Sequence, residues 1–219
     1  MADLRGALFD MDGTLLDTEI IARAAFLEAS ARIGFPEVDA EPLLFSLVGT
    51  ADDEASALLR AGLPSGTDIA AFGEDWYANM RRRMGEGIEV KATVIETLES
   101  RQAKGITMAV VTSTRAASAE RHLDSTGLLT YFQTIIGGDS IDTNKPHPGP
   151  YLAGADMLGL GAGECAAFED SDIGTRSATA AGCRTVQIPD LRAPDAPLPP
   201  YGQIQAESLA EGARLVGLL

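Results

Sequence analysis

This chain of 219 residues has little cysteine, little positive charge and no long apolar run, and each shortage narrows its function. Its two cysteines, Cys165 and Cys183, lack the CxxC spacing of metal or redox sites, so we expect buried, reduced thiols of a cytoplasmic protein. Lysine and arginine number 17 against 32 acidic residues, and the formal net charge of −15 argues against nucleic acid or anionic membrane as a partner. No apolar run approaches the roughly 20 residues of a membrane span, and the first residues lack a signal-peptide pattern.

Short apolar runs alternate with helical periodicity over most of the chain. The runs that predict buried strands are GALFD (6–10), TMAVVTS (107–113), TIIGG (134–138), CAAFED (165–170) and RTVQI (184–188). The segments between the later runs carry helical spacing, and several of them end at glycine. Strands that alternate with helices predict βαβ units, so we expect an α/β fold built on a doubly wound parallel sheet.

Residues 18–86 interrupt this alternation. Apolar residues recur there at helical spacing, without a strand-like run, and turn signals at GFPE (34–37) and GLPSG (62–66) separate the helices. We therefore predict a small helical domain over 18–86, inserted into a core domain formed by 1–17 and 87–219.

Polar side chains follow four of the predicted strands. They are Asp10 and Asp12, then Thr112 and Ser113, then Lys145, and finally Glu169 and Asp170. Ligands of such sheets bind beyond the carboxyl ends of the strands. Carboxylates suit Mg²⁺, whereas hydroxyls, helix-start amides and a lysine suit phosphate oxygens. An aspartate facing a metal-neutralised phosphate can attack phosphorus, and a second carboxylate can transfer the proton, so this set predicts phosphoryl chemistry.

The order of these motifs resembles a known family. FDMDGTLLDTE, the Thr112–Ser113 strand end, KPHPGPY and FEDSDIGTRSATAAG look like the four sequence motifs of the haloacid dehalogenase superfamily. The helical insertion resembles the cap domain of its phosphoglycolate phosphatase and β-phosphoglucomutase-like branch. The resemblance runs over nearly the whole chain.

The resemblance implies a role for each motif residue. It makes Asp10 the nucleophile and Asp12 the general acid and base, both of them Mg²⁺ ligands, Asp12 through its main-chain carbonyl. It makes Thr112, the Ser113 amide and Lys145 the groups that bind the transferring phosphoryl group, and Asp170 a metal ligand. Glu169 is expected to bind the metal directly or to lie beside its ligands.

Departures from the family pattern favour a phosphatase that acts on a small phosphorylated metabolite. We expect the protein to be a monomer. Mutases of this branch carry a hinge histidine where this chain has Ala22, and a basic cap residue near the place of Asp52. The alternatives are a β-phosphoglucomutase-like enzyme and a non-catalytic phosphate-binding protein. Glu19, Trp76 and Arg81 are candidates for specificity in the cap.

Overall fold

The computed structural model describes residues 3–47, 52–192 and 196–219, and the chain divides into two compact units. One unit comprises Met1–Asp17, Glu89–Asp190 and Leu198–Leu219, and the other comprises Thr18–Ile88 and Leu191–Pro197. The segment Leu191–Pro197, which the sequence places in the core domain, thus groups with the helices. The reason is apolar packing, because Leu191 lies against the buried core of the helical unit.

The first unit is built on a parallel sheet. In the described residues its strands are β1 (Gly6–Phe9), β2 (Thr107–Val111), β3 (Thr134–Ile136), β4 (Cys165–Glu169), β5 (Arg184–Gln187) and β6 (Ile204–Gln205). They lie in the order β3-β2-β1-β4-β5-β6, and every pairing is parallel. The predicted doubly wound α/β fold is confirmed, and the five apolar runs are its first five strands.

Helices complete both units. Those of the helical unit are α1 (Thr18–Arg32), α2 (Glu37–Leu47), α3 (Asp52–Gly62) and α4 (Ile69–Glu86). Those of the sheet unit are α5 (Val94–Ala103), α6 (Ala116–Ser125), α7 (Gly149–Met157), α8 (Asp172–Ala181) and α9 (Leu209–Leu215), with short 3₁₀ turns at Leu129–Tyr131 and Ala162–Glu164. Among the described helices, none is both long and apolar enough to cross a membrane.

Aromatic packing stabilises the helical unit. The ring of Phe26 on α1 meets the rings of Phe72 and Trp76 on α4 edge to face, at centroid distances of 5.4 and 4.9 Å. The indole N–H of Trp76 donates a hydrogen bond to the carbonyl oxygen of Ala22 at 3.1 Å. Both the ring and the indole N–H of Trp76 therefore make contacts within this unit.

The central strand β1 is buried from end to end and holds the sheet unit together. Phe9 stacks on Phe168 of β4 at a centroid distance of 5.0 Å. The register pairs Phe9 with Val110 on one side and with Phe168 on the other. The residues that follow these three, Asp10, Val111 and Glu169, consequently form one row across three adjacent strands.

One buried charge in this unit lacks an ionic partner among the described residues. Arg101 on α5 is 1% exposed, and its Nη2 donates to the Ser100 hydroxyl at 2.8 Å. Its Nε and Nη1 atoms are buried without a protein hydrogen-bond partner, and burial lowers the pKa of the guanidinium. Such a group costs free energy that an apolar side chain of similar length would not.

We predict that Arg101→Met raises the free energy of unfolding by about 1–3 kcal/mol, because it removes two unsatisfied buried donors and keeps the unbranched stem. Chemical denaturation measures the change. Arg121→Met on the exposed face of α6 is the matched control and should stay within about 0.5 kcal/mol of the wild type. A loss of stability in Arg101→Met would contradict the cost assigned to the unsatisfied guanidinium.

Candidate active site

Asp10 and Asp12 leave the sheet at the end of β1. The Asp10 amide still donates to the carbonyl oxygen of Phe168 at 2.9 Å, so the sheet fixes the backbone from which its buried side chain projects. Asp12 is half-buried, and its Oδ2 accepts hydrogen bonds from the hydroxyls of Thr114 at 2.8 Å and Thr112 at 3.4 Å. These two threonines orient the Asp12 carboxylate from the end of β2.

The turn after Asp12 requires glycine. Gly13 has φ +79°, in the left-handed region that side chains disfavour. A Cβ atom at this position would lie 2.5 Å from Oδ2 of Asp170. The backbone of the β1 loop therefore packs directly against the acidic residues that end β4.

Lys145 joins the ends of three strands. Its ammonium donates to Oδ1 of Asp10 at 2.6 Å, to Oε1 of Glu169 at 2.6 Å and to the carbonyl oxygen of Val111 at 2.8 Å. These acceptors belong to the row that the sheet register defines, so one ammonium spans β2, β1 and β4. The Lys145 side chain is 4% exposed, and all three of its N–H donors have partners.

Glu169 is held by more than Lys145. Its Oε1 also accepts from the hydroxyl of Tyr151 at 2.6 Å, and its Oε2 accepts from the hydroxyl of Ser171 at 3.1 Å. A Cβ atom on Gly174 would lie 2.0–2.1 Å from the carboxyl atoms of Glu169. Glycine at this position of α8 therefore gives the carboxylate its space.

Burial and the attraction between Asp10 and Lys145 shift the pKa values of these two residues in opposite directions. Burial raises the pKa of Asp10 well above its ordinary value, Lys145 opposes that shift, and the charges of Glu169 and Asp12 add to it. Burial alone would lower the pKa of Lys145, but Asp10 and Glu169 outweigh it and hold the pKa above its usual value. Lys145 is therefore a protonated cation at neutral pH, and a second cation near Asp10 would favour its carboxylate.

Three carboxylates converge at this edge of the sheet. Asp10, Glu169 and Asp170 each offer one oxygen within 4.8 Å of the others. The threonine hydroxyl at position 14 donates to Asp170 Oδ1 at 3.5 Å, the outer limit of a hydrogen bond. A cluster of hard oxygen donors suits Mg²⁺, so the residues present fit the metal that the family resemblance implies.

The two residues predicted to bind phosphate at the end of β2 differ in exposure. Thr112 is buried, and its hydroxyl accepts from the amide of Thr114 at 3.0 Å. Ser113 is exposed in the loop before α6, and its carbonyl would lie 2.2 Å from a Cβ on Gly138. Hydrogen bonds thus join Lys145 to Asp10 and Glu169, and Asp12 to Thr112, and Asp170 offers an oxygen within 4.8 Å of those of Asp10 and Glu169. Ser113 belongs to the same loop as Thr112.

Sequence reasoning missed the hydroxyl partners of this site. Thr114 directly follows the Thr112–Ser113 strand end and Tyr151 closes KPHPGPY, but the sequence predicts for neither a hydrogen bond to an acid of the site. For Thr114 the signal was available, since three hydroxyl residues follow β2 in succession. A tyrosine in the first turn of a helix, such as Tyr151, is equally compatible with ordinary core packing. Asp172, another acid of the fourth motif, accepts from Gln187 Nε2 at 2.8 Å.

Comparison with protein-family models identifies the family of this chain. A family model described as haloacid dehalogenase-like hydrolase matches residues 7–188, which is most of the chain. The chain belongs to this family. Its resemblance to the haloacid dehalogenase superfamily and the prediction of an enzyme of the hydrolase class are thereby confirmed.

Individual members of the haloacid dehalogenase-like family cover nearly the whole chain. Protein CbbY of Rhodobacter capsulatus is 33% identical over 202 residues, covering 85% of this chain and 86% of the relative. Phosphoglycolate phosphatase of Pectobacterium atrosepticum is 32% identical over 185 residues, covering 84% and 79%. A crystal structure of CbbY from Rhodobacter sphaeroides with xylulose-(1,5)bisphosphate has a TM-score of 0.71, 26% identity, and coverage of 95% and 96%.

The contact between Gly174 and Glu169 yields a prediction. Gly174→Ala should lower the free energy of unfolding by about 1–3 kcal/mol, because its new methyl group displaces the Glu169 carboxylate or the start of α8. Gly73→Ala is the matched control, since this helical glycine on α4 has no atom within 4 Å of an added Cβ. It should instead raise stability by about 0.5–1 kcal/mol. Equal shifts in thermal denaturation of the two variants would contradict the contact.

Proposed function

We propose that this chain is a Mg²⁺-dependent phosphatase that hydrolyses a small phosphorylated metabolite through an aspartyl-phosphate on Asp10. The observation that carries the proposal is the bridge of Lys145 between Asp10 and Glu169, at the strand ends where Asp12 and Asp170 also lie. A lone carboxylate or a lone lysine would have ordinary structural explanations. Their convergence at the carboxyl edge of one parallel sheet supports a catalytic one.

Asp10 and Asp12 divide the covalent and proton-transfer steps. The Asp10 carboxylate attacks phosphorus as the bond to the leaving oxygen breaks, and Asp12 gives that oxygen its proton. Asp12, now a carboxylate, takes a proton from the water that attacks the aspartyl-phosphate, which returns Asp10 and releases inorganic phosphate. The hydroxyls of Thr112 and Thr114 support this role because they hold Asp12 by its Oδ2 atom.

The phosphoryl oxygens need donors, and the metal needs oxygen ligands. Lys145, the Thr112 hydroxyl and the Ser113 amide are proposed to bind the transferring group, Lys145 by exchanging its bond to Asp10, and Thr112 its long bond to Asp12, for a bond to a phosphoryl oxygen. Asp10, Asp170 and the main-chain carbonyl of Asp12 are proposed to hold Mg²⁺, with Glu169 as a direct ligand or a neighbour of the ligands. When bound, the metal would neutralise charge on the phosphate and keep Asp10 ionised.

The names of similar proteins support a substrate class, and one cap residue bears on the choice between phosphatase and mutase. The names of two relatives include phosphoglycolate and a sugar bisphosphate, so a phosphorylated carbohydrate or small acid is the class we propose. The position of the mutase hinge histidine is Ala22, which offers no titratable group. The side chain of Asp52, at the predicted place of the mutase's basic cap residue, lies outside the described residues.

The cytoplasmic location, the monomeric state and the helical unit's role as a cap remain predictions.

Asp10→Asn should lower phosphatase activity by several orders of magnitude and preserve the fold. The amide keeps the shape of the carboxylate but cannot act as the nucleophile, and loss of one charge relieves repulsion from Glu169 and Asp12. Release of inorganic phosphate from an aryl phosphate with Mg²⁺ measures activity, and circular dichroism checks folding. The matched control is Asp124→Asn on the exposed face of α6, which should keep wild-type turnover. Substantial turnover by Asp10→Asn would rule out the aspartyl-phosphate route.

An aspartyl-phosphate on this core could be hydrolysed by water or could return its phosphoryl group to a sugar. Isotope labelling distinguishes the two reactions. We expect each turnover of a suitable monophosphate in ¹⁸O-water to release one inorganic phosphate that carries the label, because water attacks the aspartyl-phosphate. We expect poor isomerisation of β-glucose 1-phosphate, with Mg²⁺ and a catalytic amount of the bisphosphate, since Ala22 cannot relay a proton. Rapid formation of glucose 6-phosphate without free phosphate would instead establish the mutase. If Mg²⁺ supports neither reaction, the non-catalytic phosphate-binding alternative stands.

A further inference from the structure

Tyr151 is a fully buried side chain beside this edge of the sheet, and the proposed reaction gives it no role. Its hydroxyl donates to Oε1 of Glu169 at 2.6 Å, the same oxygen that accepts from Lys145. The Lys145 ammonium also lies 5.3 Å from the centroid of the Tyr151 ring. One side chain thus contacts both members of the buried ion pair.

We infer that Tyr151 is a positioning residue: its hydroxyl fixes Glu169, and Glu169 in turn aims the Lys145 ammonium at the reaction centre beside Asp10. This inference rests on the proposed phosphatase function and names a residue on which that function depends. Tyr151 touches no reacting atom in this scheme. It acts only through Glu169 and Lys145.

The geometry explains why Glu169 needs such a support. Asp10 and Glu169 share one ammonium, at 2.6 Å each, and the two carboxylates repel one another across it. A side chain with three rotatable bonds could relieve that repulsion by turning away. The Tyr151 hydroxyl, the Ser171 hydroxyl and the close contact with Gly174 hold the Glu169 carboxylate in place from three sides.

Simple core packing would not require this partner. The Tyr151 ring belongs to the apolar cluster between the sheet and α7, and phenylalanine would fill that space equally well. The hydroxyl adds a charge-assisted hydrogen bond, which is stronger than a neutral one because the acceptor is an ionised carboxylate. Burial first, and then Glu169 and Asp10, raise the pKa of Tyr151 well above its usual value, so the hydroxyl keeps its proton and remains a donor.

Tyr151→Phe tests this inference because it deletes the hydroxyl and keeps the ring. We expect the affinity for inorganic phosphate, titrated by calorimetry at saturating Mg²⁺, to fall about 10-fold, with a similar fall in kcat/KM. The affinity for Mg²⁺ alone should fall less than the affinity for phosphate, because the lost bond is to the Glu169 oxygen that accepts from Lys145. Tyr131→Phe, a half-buried tyrosine of the same unit, is the matched control and should change neither affinity.

A double-mutant cycle with Glu169→Gln separates positioning from packing. If Tyr151 acts through Glu169, the hydroxyl deletion should cost less phosphate affinity in the Glu169→Gln background than in the wild type, because a neutral amide oxygen accepts a weaker hydrogen bond than a carboxylate. Independent, additive losses would overturn the inference, as would wild-type phosphate affinity in Tyr151→Phe, or a loss of Mg²⁺ affinity in its place. Should Tyr151→Phe not fold, Glu169→Gln alone must still reduce phosphate affinity, and an unchanged value would overturn it equally.

These experiments can refute the positioning role of Tyr151 and the proposed phosphatase function separately. A wild-type protein that binds phosphate but hydrolyses no monophosphate would refute the phosphatase, while the phosphate titrations would still decide the role of Tyr151. A wild-type protein that hydrolyses monophosphates and whose Tyr151→Phe variant matches it in both titrations would refute only the positioning role.

Discussion

The buried ammonium of Lys145 is the interaction on which the arrangement of this site depends. Asp10 and Glu169 are both buried, and two carboxylates so close together could not both remain charged without a cation between them. Lys145 supplies that cation and uses its third N–H on the carbonyl oxygen of Val111. Removal of the ammonium would leave unpaired charge in the interior, which is far more costly than the loss of an exposed ion pair.

The sheet topology makes this bridge possible. Because β1 lies between β2 and β4 and all three run parallel, Asp10, Val111 and Glu169 reach the same edge at the same level. A connection that follows the neighbouring β3 then needs to deliver only one lysine to meet all three. The row of acceptors at the carboxyl edge is thus a consequence of strand register, and a shift of one residue in either pairing would break it.

Much of this could be predicted from sequence, because continuous apolar runs and their polar ends are local signals. These local signals predict the strands, the acids at the strand ends and Lys145. Two-residue β6 could not, since periodicity needs a longer segment. Nor could the role of Tyr151, because a buried tyrosine has the same local pattern whether its hydroxyl meets a carbonyl or a catalytic carboxylate. The grouping of Leu191–Pro197 with the helical unit could not be predicted either, because it depends on tertiary packing.

Charge balance at the site bears on the order in which its ligands arrive. Among the described residues, Asp10 and Glu169 share the ammonium of Lys145, and Asp12 and Asp170 lie at the same strand ends, so an approaching phosphate dianion meets more carboxylate than ammonium charge there. Hydroxyl and amide dipoles lessen this repulsion but do not reverse it. A divalent cation among the three converging carboxylates would both permit phosphate to approach and lower the pKa of Asp10, which burial raises. The proposed need for a metal therefore follows from the same crowding of acids that surrounds Asp10, the proposed nucleophile.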